Sequence, residues 1–335
     1  MKVLFIFLSN TSLNLHEESL IFNKNNAVVF QAQKRVEVIL RKENIKIKSV
    51  LLIGIVSISF AATFVKLADA PPSVIAALRL LFSSVILIPY IFFSSSLRAE
   101  FRGFSSRDIL LLLLSGFFLS LHFLLWITSL YFTGVTNSVV LVTTSPIFIT
   151  LFSSFVFKEV ISRSFWIGLI VALAGCLVLG GNDIIGGIDM LKGDMLALSG
   201  AISIAGYFIV GSILRRKISL LAYIIPVYIT AAVFLTVTLP LSGNSLRGYS
   251  PETYFYCLLM AVICQIVGHS SFNWALKRLK ASMATMAIIG EPVGAALLAF
   301  LILGSIPSLM TVLGSLVILT GISIILLNNP MRTET

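Results

Sequence analysis

A glutamate followed by a proline, Glu291-Pro292, sits deep in a long apolar stretch between Gly290 and Gly294. About ten apolar residues precede it, or roughly 15 Å of helix, which is half the thickness of a bilayer core. The proline removes one backbone donor and frees a carbonyl one turn earlier. The Gly290/Gly294 spacing allows another backbone to approach closely. A carboxylate in such a setting can bind a cation, or exchange a proton when burial disfavours its charge. The competing reading is a carboxyl group bonded to a neighbouring helix without contact to any solute. Arg79 lies about seven residues into another apolar run, deep enough to count as intramembrane. Its permanent charge and five donors suit a carboxylate or phosphate, and suit equally well an internal acid or a set of helix-end carbonyls.

Two further pairs have helical spacing. His122 and Trp126 are four residues apart, as are His269 and Asn273, so each pair shares a helix face. A histidine on an apolar helix can carry a proton or donate to a polar solute, and it can also be a hydrogen-bonded packing residue. Trp126 and Trp274 can stack on a planar or apolar solute, or anchor a helix at the lipid–water interface. In Thr143-Thr144-Ser145-Pro146 the hydroxyls can bond carbonyls that Pro146 frees.

The elements that carry these residues must be membrane helices. Of 335 residues, 58% are hydrophobic and only 11% are charged, against about 25% charged in an average soluble domain. The mean hydropathy is +1.03. A soluble enzyme, a nucleic-acid-binding domain and a disordered chain are excluded by this composition. The net charge of +10 does not restore a nucleic-acid reading, because the basic residues sit in the tail and in short connections rather than along one face. Cys176, Cys257 and Cys264 lie in apolar runs without CxxC spacing, so no disulfide framework or metal site is expected.

Ten apolar runs are long enough to span: 49–67, 73–94, 109–132, 137–157, 163–181, 194–213, 219–241, 253–275, 281–303 and 306–327. Alternate connections are rich in Lys and Arg. Arg98, Arg102 and Arg107, then Lys158 and Arg163, then Arg215, Arg216 and Lys217, then Lys277, Arg278 and Lys280 fall on one side with the basic tail; the other loops carry only Lys66, Lys192 and Arg247. This bias puts both termini in the cytoplasm. Residues 1–48 read as a cytoplasmic extension, which an upstream start codon would also produce. The apolar stretch Val3 to Leu8 is too short for a signal-peptide core.

The chain also repeats. A shift of 146 residues aligns runs three to five with runs eight to ten without a gap, matching Pro146 with Pro292, Ser162 with Ser308, Gly168 with Gly314 and Gly175 with Gly321. Five helices per half force the second copy to enter the membrane inverted. The expected fold is therefore all-α and polytopic, with ten transmembrane helices as two inverted five-helix repeats over 49–182 and 193–328. Inverted repeats suit alternating access, because exchanging the conformations of two similar halves turns an outward-open site inward.

Several stretches carry a family resemblance: Leu121-His122-Phe123-Leu124-Leu125-Trp126, Ser138 through Pro146, and Phe157-Lys158-Glu159 in the first half, and Gly268 through Leu276 and Gly290-Glu291-Pro292-Val293-Gly294 in the second. Over roughly residues 50–327 the chain resembles the drug/metabolite transporter superfamily, and within it the EamA-type ten-helix transporters. The family often ends its ninth helix Leu-Gly-Glu, whereas Leu303-Gly304 is followed here by Ser305, which predicts a small loss of helix-end bonding. The resemblance implies an integral protein of a bacterial plasma (inner) membrane that moves a small-molecule substrate, with position 291 among the family's motif residues.

Taken together, these readings give a secondary-active transporter of a small organic solute, working by alternating access, with proton coupling through Glu291 as its energy source. Arg79, His122, Trp126, His269, Asn273 and Glu291 are the candidate substrate-binding residues. No P-loop occurs and no loop could hold a nucleotide domain, so no cofactor, metal or catalytic residue is expected. The partners are the solute and the lipid bilayer, with no nucleic acid; a monomer suffices and the sequence fixes no oligomeric state. The alternatives are a passive facilitator or channel and an intramembrane enzyme. Gly268-His269-Ser270 supplies residue types for the latter but no nucleophile turn.

Overall fold

The computed structural model describes residues 42–158, 160–180, 188–304, 306 and 308–328. The chain divides into two units, Met1–Lys48 and Ser49–Thr335. Of the first, only residues 42–48 are described, and they are helical; the reading of the rest of the extension lies outside the described residues.

Every regular element among the described residues is a helix. The long helices are α1 (Lys42–Leu67), α2 (Pro72–Phe93), α3 (Ser106–Ser129), α4 (Val135–Phe157), α5 (Arg163–Gly180), α6 (Ile188–Arg215), α7 (Leu220–Ser242), α8 (Pro251–Ala275), α9 (Ala281–Leu303) and α10 (Leu309–Asn328), and a short helix, Ser95–Arg102, follows α2. Of the long helices, all but α5 are long and apolar enough to cross a membrane, and the apolar part of α5, Arg163–Val178, is shorter. Bulky apolar side chains stand on the outside, with Phe93 89% and Phe155 87% exposed. In water such a surface would associate; in lipid it is the solvated face. The protein is an integral membrane protein.

Caps explain the helix ends. α2 starts at Pro72, where a missing N–H costs nothing. α3 starts at Ser106, three residues before its apolar run, because Ser105 and Asp108 close a reciprocal capping box. Ser219 and Ser250 cap α7 and α8 in the same way through the N–H groups of Ala222 and Thr253.

The two halves interlock. α3 packs on α6 and α7, and its counterpart α8 packs on α1 and α2; α2 meets α7, α4 meets α9, and α5 meets α10. Each of these contacts joins one half to the other, and the set is unchanged when the halves are exchanged. The cavity described below therefore lies where the repeats face one another.

The irregularities of α4, α8 and α9 bear on the site. α4 consists of Val135–Val142 and Ser145–Phe157, broken at Thr143-Thr144. α9 runs as an α-turn over Ala281–Thr285, a 3-10 segment over Met286–Gly290, and an α-helix over Glu291–Leu303. The second pieces of both helices contain 13 residues and begin at repeat-equivalent positions, with Pro146 and Pro292 in their first turns. Thr143 and Thr144 donate to the carbonyls of Val140 and Leu141 at 2.9 and 2.6 Å, so the hydroxyls bond the turn before the break and not the Val142 carbonyl that Pro146 leaves without its helical donor. α8 contains a π segment, Met260–His269, that has no counterpart in the regular α3.

The pieces after the breaks also end alike. Lys158 and Gly304, again repeat-equivalent, both take left-handed backbone at φ 54° and 67°. Glycine holds that conformation without the Cβ penalty that lysine accepts. The contrast expected one residue later, at Glu159 and Ser305, lies outside the described residues.

Candidate functional site

Arg79 from α2, His122, Phe123 and Trp126 from α3, Ser145 from α4, His269 and Phe272 from α8, and Glu291 from α9 line one buried cavity, closed by Ile58, Ile204 and other apolar side chains. Repeat-equivalent residues line it in pairs: Phe123 with His269, Trp126 with Phe272, and Ser145 with Glu291. The walls are thus symmetric in position and asymmetric in chemistry. The enclosed space is small, about 30 Å³, enough for on the order of two waters.

The broken helices explain how a carboxylate comes to this place. Glu291 starts the second helical piece of α9, where the helix dipole favours negative charge. The side chain is 8% exposed. Ser145 stands at the matching start in α4, buried, with its Oγ unpartnered.

Arg79 is fully buried. Its guanidinium lies over the Phe123 ring at 4.0 Å. Nε donates to Gln265 Oε1 at 3.0 Å, which fixes the orientation of the amide because a guanidinium cannot accept. Both terminal nitrogens, Nη1 and Nη2, lack a partner, as does Gln265 Nε2.

His122 bonds the Gly200 carbonyl of α6 through Nδ1 at 2.9 Å; a carbonyl only accepts, so Nδ1 carries the proton. Its ring stacks on Trp126 with centroids 6.2 Å apart and planes within 3°. The His269 ring lies 6.3 Å from it, and its Nδ1 is unpartnered. The two histidines, from α3 and α8, meet in one cavity.

Asn273 departs from expectation and does not line the cavity. Its Nδ2 donates to Tyr207 at 2.6 Å and to the His269 carbonyl at 2.9 Å. Sharing a face with His269 leaves it one turn, roughly 6 Å, further along the axis, beyond reach for a short amide. Trp126 spans the same separation because its indole is long. Trp274 is also elsewhere, stacked under Arg278 at 3.6 Å. Gly290 packs only on Ile322 and Ile55 at ordinary contact distance, so the close approach in α9 occurs at Gly294, against the Ser59 side chain rather than a backbone.

Beyond Asn273, toward the α6–α7 end, lies a buried polar layer. Tyr223 pairs with Ser115 at 2.6 Å, and Tyr228 with Ser270 at 3.1 Å. Arg215, 2% exposed, donates through Nε to the Asn273 carbonyl at 3.0 Å and through Nη1 to the Ile218 carbonyl. At the opposite end Lys66 donates to the Leu130 carbonyl at 2.7 Å, and Tyr131 to the Ala70 carbonyl at 2.8 Å. These bonds tie α1 and the α1–α2 connection to the α3–α4 connection at one end, and α3, α6, α7 and α8 to one another at the other.

Sequence reasoning did not single out Gln265, Phe123 or Ser145 as site residues. Gln265 carried the same signal as His269, a polar side chain in an apolar run. Phe123 carried none.

An inverted pair of five-helix bundles around a shared polar cavity defines the class of protein as a polytopic transporter. The EamA-like transporter family matches twice, at residues 45–181 and 191–327, and the chain belongs to it. Relatives include the uncharacterized transporter YdfC of Bacillus subtilis (strain 168), 25% identical over 289 residues covering 84% of this chain and 92% of that one. An uncharacterized transporter of Archaeoglobus fulgidus is 24% identical over 286 residues, covering 82% and 96%. A crystal structure at 17% identity superposes with a TM-score of 0.68 over 84% of this chain and 97% of its own, which is a likeness of fold.

Proposed function

We propose that this transporter is a secondary-active carrier of a small organic solute. The solute binds in the cavity between the repeats, and the halves exchange conformations to expose it to each side in turn. The observation that carries this reading is the pair of helices broken at equivalent positions, with Ser145 and Glu291 at the two breaks and on one cavity. Half-helix ends at a repeat interface are where carriers hold solutes and coupling ions. Arg79, His122, Trp126, His269 and Glu291 form the binding wall, and Asn273 acts from the polar layer beside it.

Glu291 is the coupling group, taking up and releasing one proton per cycle. Around it stand Arg79 on α2, His122 on α3 and Cys264 and His269 on α8. Of the other helices packed on α9, α1 brings Lys66, already bonded to Leu130, α5 brings the Cys176 thiol, α6 brings Tyr207 and Arg215, both bonded to Asn273, and α4 and α10 contain no acid or base. A carboxyl group is therefore the group in this wall best suited to carry a proton. The protein works in a bacterial plasma (inner) membrane with both termini cytoplasmic, as the distribution of Lys and Arg supports.

Counterflow in proteoliposomes tests the reading. Solutes that raise the unfolding temperature of the purified protein are loaded inside, and uptake of the labelled solute is followed. Saturable uptake stimulated by internal solute is expected; unsaturable flux indifferent to internal solute would mean a channel.

A further inference from the structure

We infer that the solute carries a single carboxylate, which docks on the fork of Arg79. This rests on the transport reading above and adds a substrate class to it. Arg79 is fully buried, yet both Nη groups are unpartnered, and no acid lies within ion-pair distance of it among the described residues. A buried guanidinium with bare donors is costly unless something bonds them. Stacking on Phe123 and the Nε bond to Gln265 hold the fork in one plane. A carboxylate is planar and accepts two parallel N–H bonds from such a fork. The neighbouring unpartnered groups fit the same ligand: Gln265 Nε2 and Trp126 Nε1 are donors, and the Ser145 hydroxyl can donate.

Charge sets the valence. With Glu291 ionised, the cavity balances Arg79 without a solute. With a proton on Glu291, one negative charge is missing, and a monocarboxylate supplies it. A phosphate dianion would leave an excess negative charge in the membrane, and a cation an excess positive one, each disfavoured there. Apart from His122 and His269, the rest of the wall is apolar and aromatic, from Phe123, Phe208, Phe272 and Ile204, so most of the body of the solute is apolar.

Matched probes test this on the full-length purified protein by thermal shift and titration. The first set is 4-methylpentanoate, 4-methylpentanamide and 3-methylbutylamine; the second is phenylacetate, phenylacetamide, phenethylamine and benzylphosphonate. The carboxylates should bind at least about tenfold more tightly than their amides, amines or the phosphonate, and Arg79→Gln should remove that preference. Arg79→Lys, which keeps the charge without the planar fork, should recover binding in part and separates loss of the fork from loss of fold. Absence of carboxylate binding, a preference for amine, amide or phosphonate, or a carboxylate preference that survives in Arg79→Gln would each overturn the inference. Counterflow keeps the two readings apart. Saturable exchange of a non-acid leaves the carrier standing without this inference, and carboxylate binding without exchange leaves the site standing without the carrier.

Discussion

Gly168 of α5 lies against Gly321 of α10 so closely that a methyl group added to Gly168 would sit 2.6 Å from the Gly321 carbonyl oxygen. The equivalent pair, Gly175 and Gly314, makes the same contact at 2.8 Å. These four glycines are the ones that match at the 146-residue offset, so each repeat packs its last helix on the other's by the same surface. The contacts run in opposite senses along the two chains, which makes the helices antiparallel, as inversion demands. The sequence match in glycine is thus a backbone contact and not a coincidence of composition.

Replacing Gly321 by leucine should break this seam. The added side chain meets the backbone of Gly168 and Ala172 at 2.5 Å, and backbone cannot step aside cheaply. A loss of about 1–3 kcal/mol is expected, read as a lower unfolding temperature in detergent. Gly103→Ala, whose nearest neighbour is a carbonyl at 3.4 Å, should change it by less than about 0.5 kcal/mol. Equal midpoints for the two variants would contradict the packing.

Arg215 and Lys217 are neighbours in sequence with opposite expected costs. Arg215→Gln leaves the bonds to Asn273 and Ile218 unmade in a buried layer, at about 1–3 kcal/mol per orphaned group. Lys217→Gln removes a 3.6 Å ion pair with Asp108 from a side chain 57% exposed, worth about 0–1 kcal/mol. Thermal unfolding of both variants checks the order, and a larger loss for Lys217→Gln would refute it.

The bonds from Lys66 to the Leu130 carbonyl and from Tyr131 to the Ala70 carbonyl tie the α1–α2 connection to the α3–α4 connection. Removing both, with Lys66→Met and Tyr131→Phe, should favour the conformation open at that end. A cysteine at position 145 should then react faster with a membrane-impermeant thiol reagent added from that side, by about tenfold for a shift of 1.4 kcal/mol. Unchanged labelling would mean that these bonds do not hold the end shut.

Much of this was legible in the sequence because the membrane imposes it. Every backbone group in lipid must be bonded within its helix, so the apolar runs mark the helices to within a few residues. Where the ends moved, as at Ser106, a polar cap added a turn that hydropathy does not count. The cavity was legible for a related reason: Arg79, His122, His269 and Glu291 are expensive in hydrocarbon and are drawn to the interior. Asn273 failed because a shared face does not specify depth, and a single turn removes a short side chain from a space this small. The π segment of α8 left no recognisable sequence mark. The bare fork of Arg79 depends on which acid does not reach it, a matter of tertiary distances alone.

Proton coupling places the whole energy supply of transport on the Glu291 carboxyl group. In proteoliposomes with an acidic exterior and an alkaline interior, the unaltered protein should accumulate a counterflow substrate above its external concentration. Glu291→Gln, which keeps the shape and cannot release a proton, should still exchange solute for solute yet fail to accumulate it. Accumulation by Glu291→Gln equal to that of the unaltered protein would contradict proton coupling at this residue.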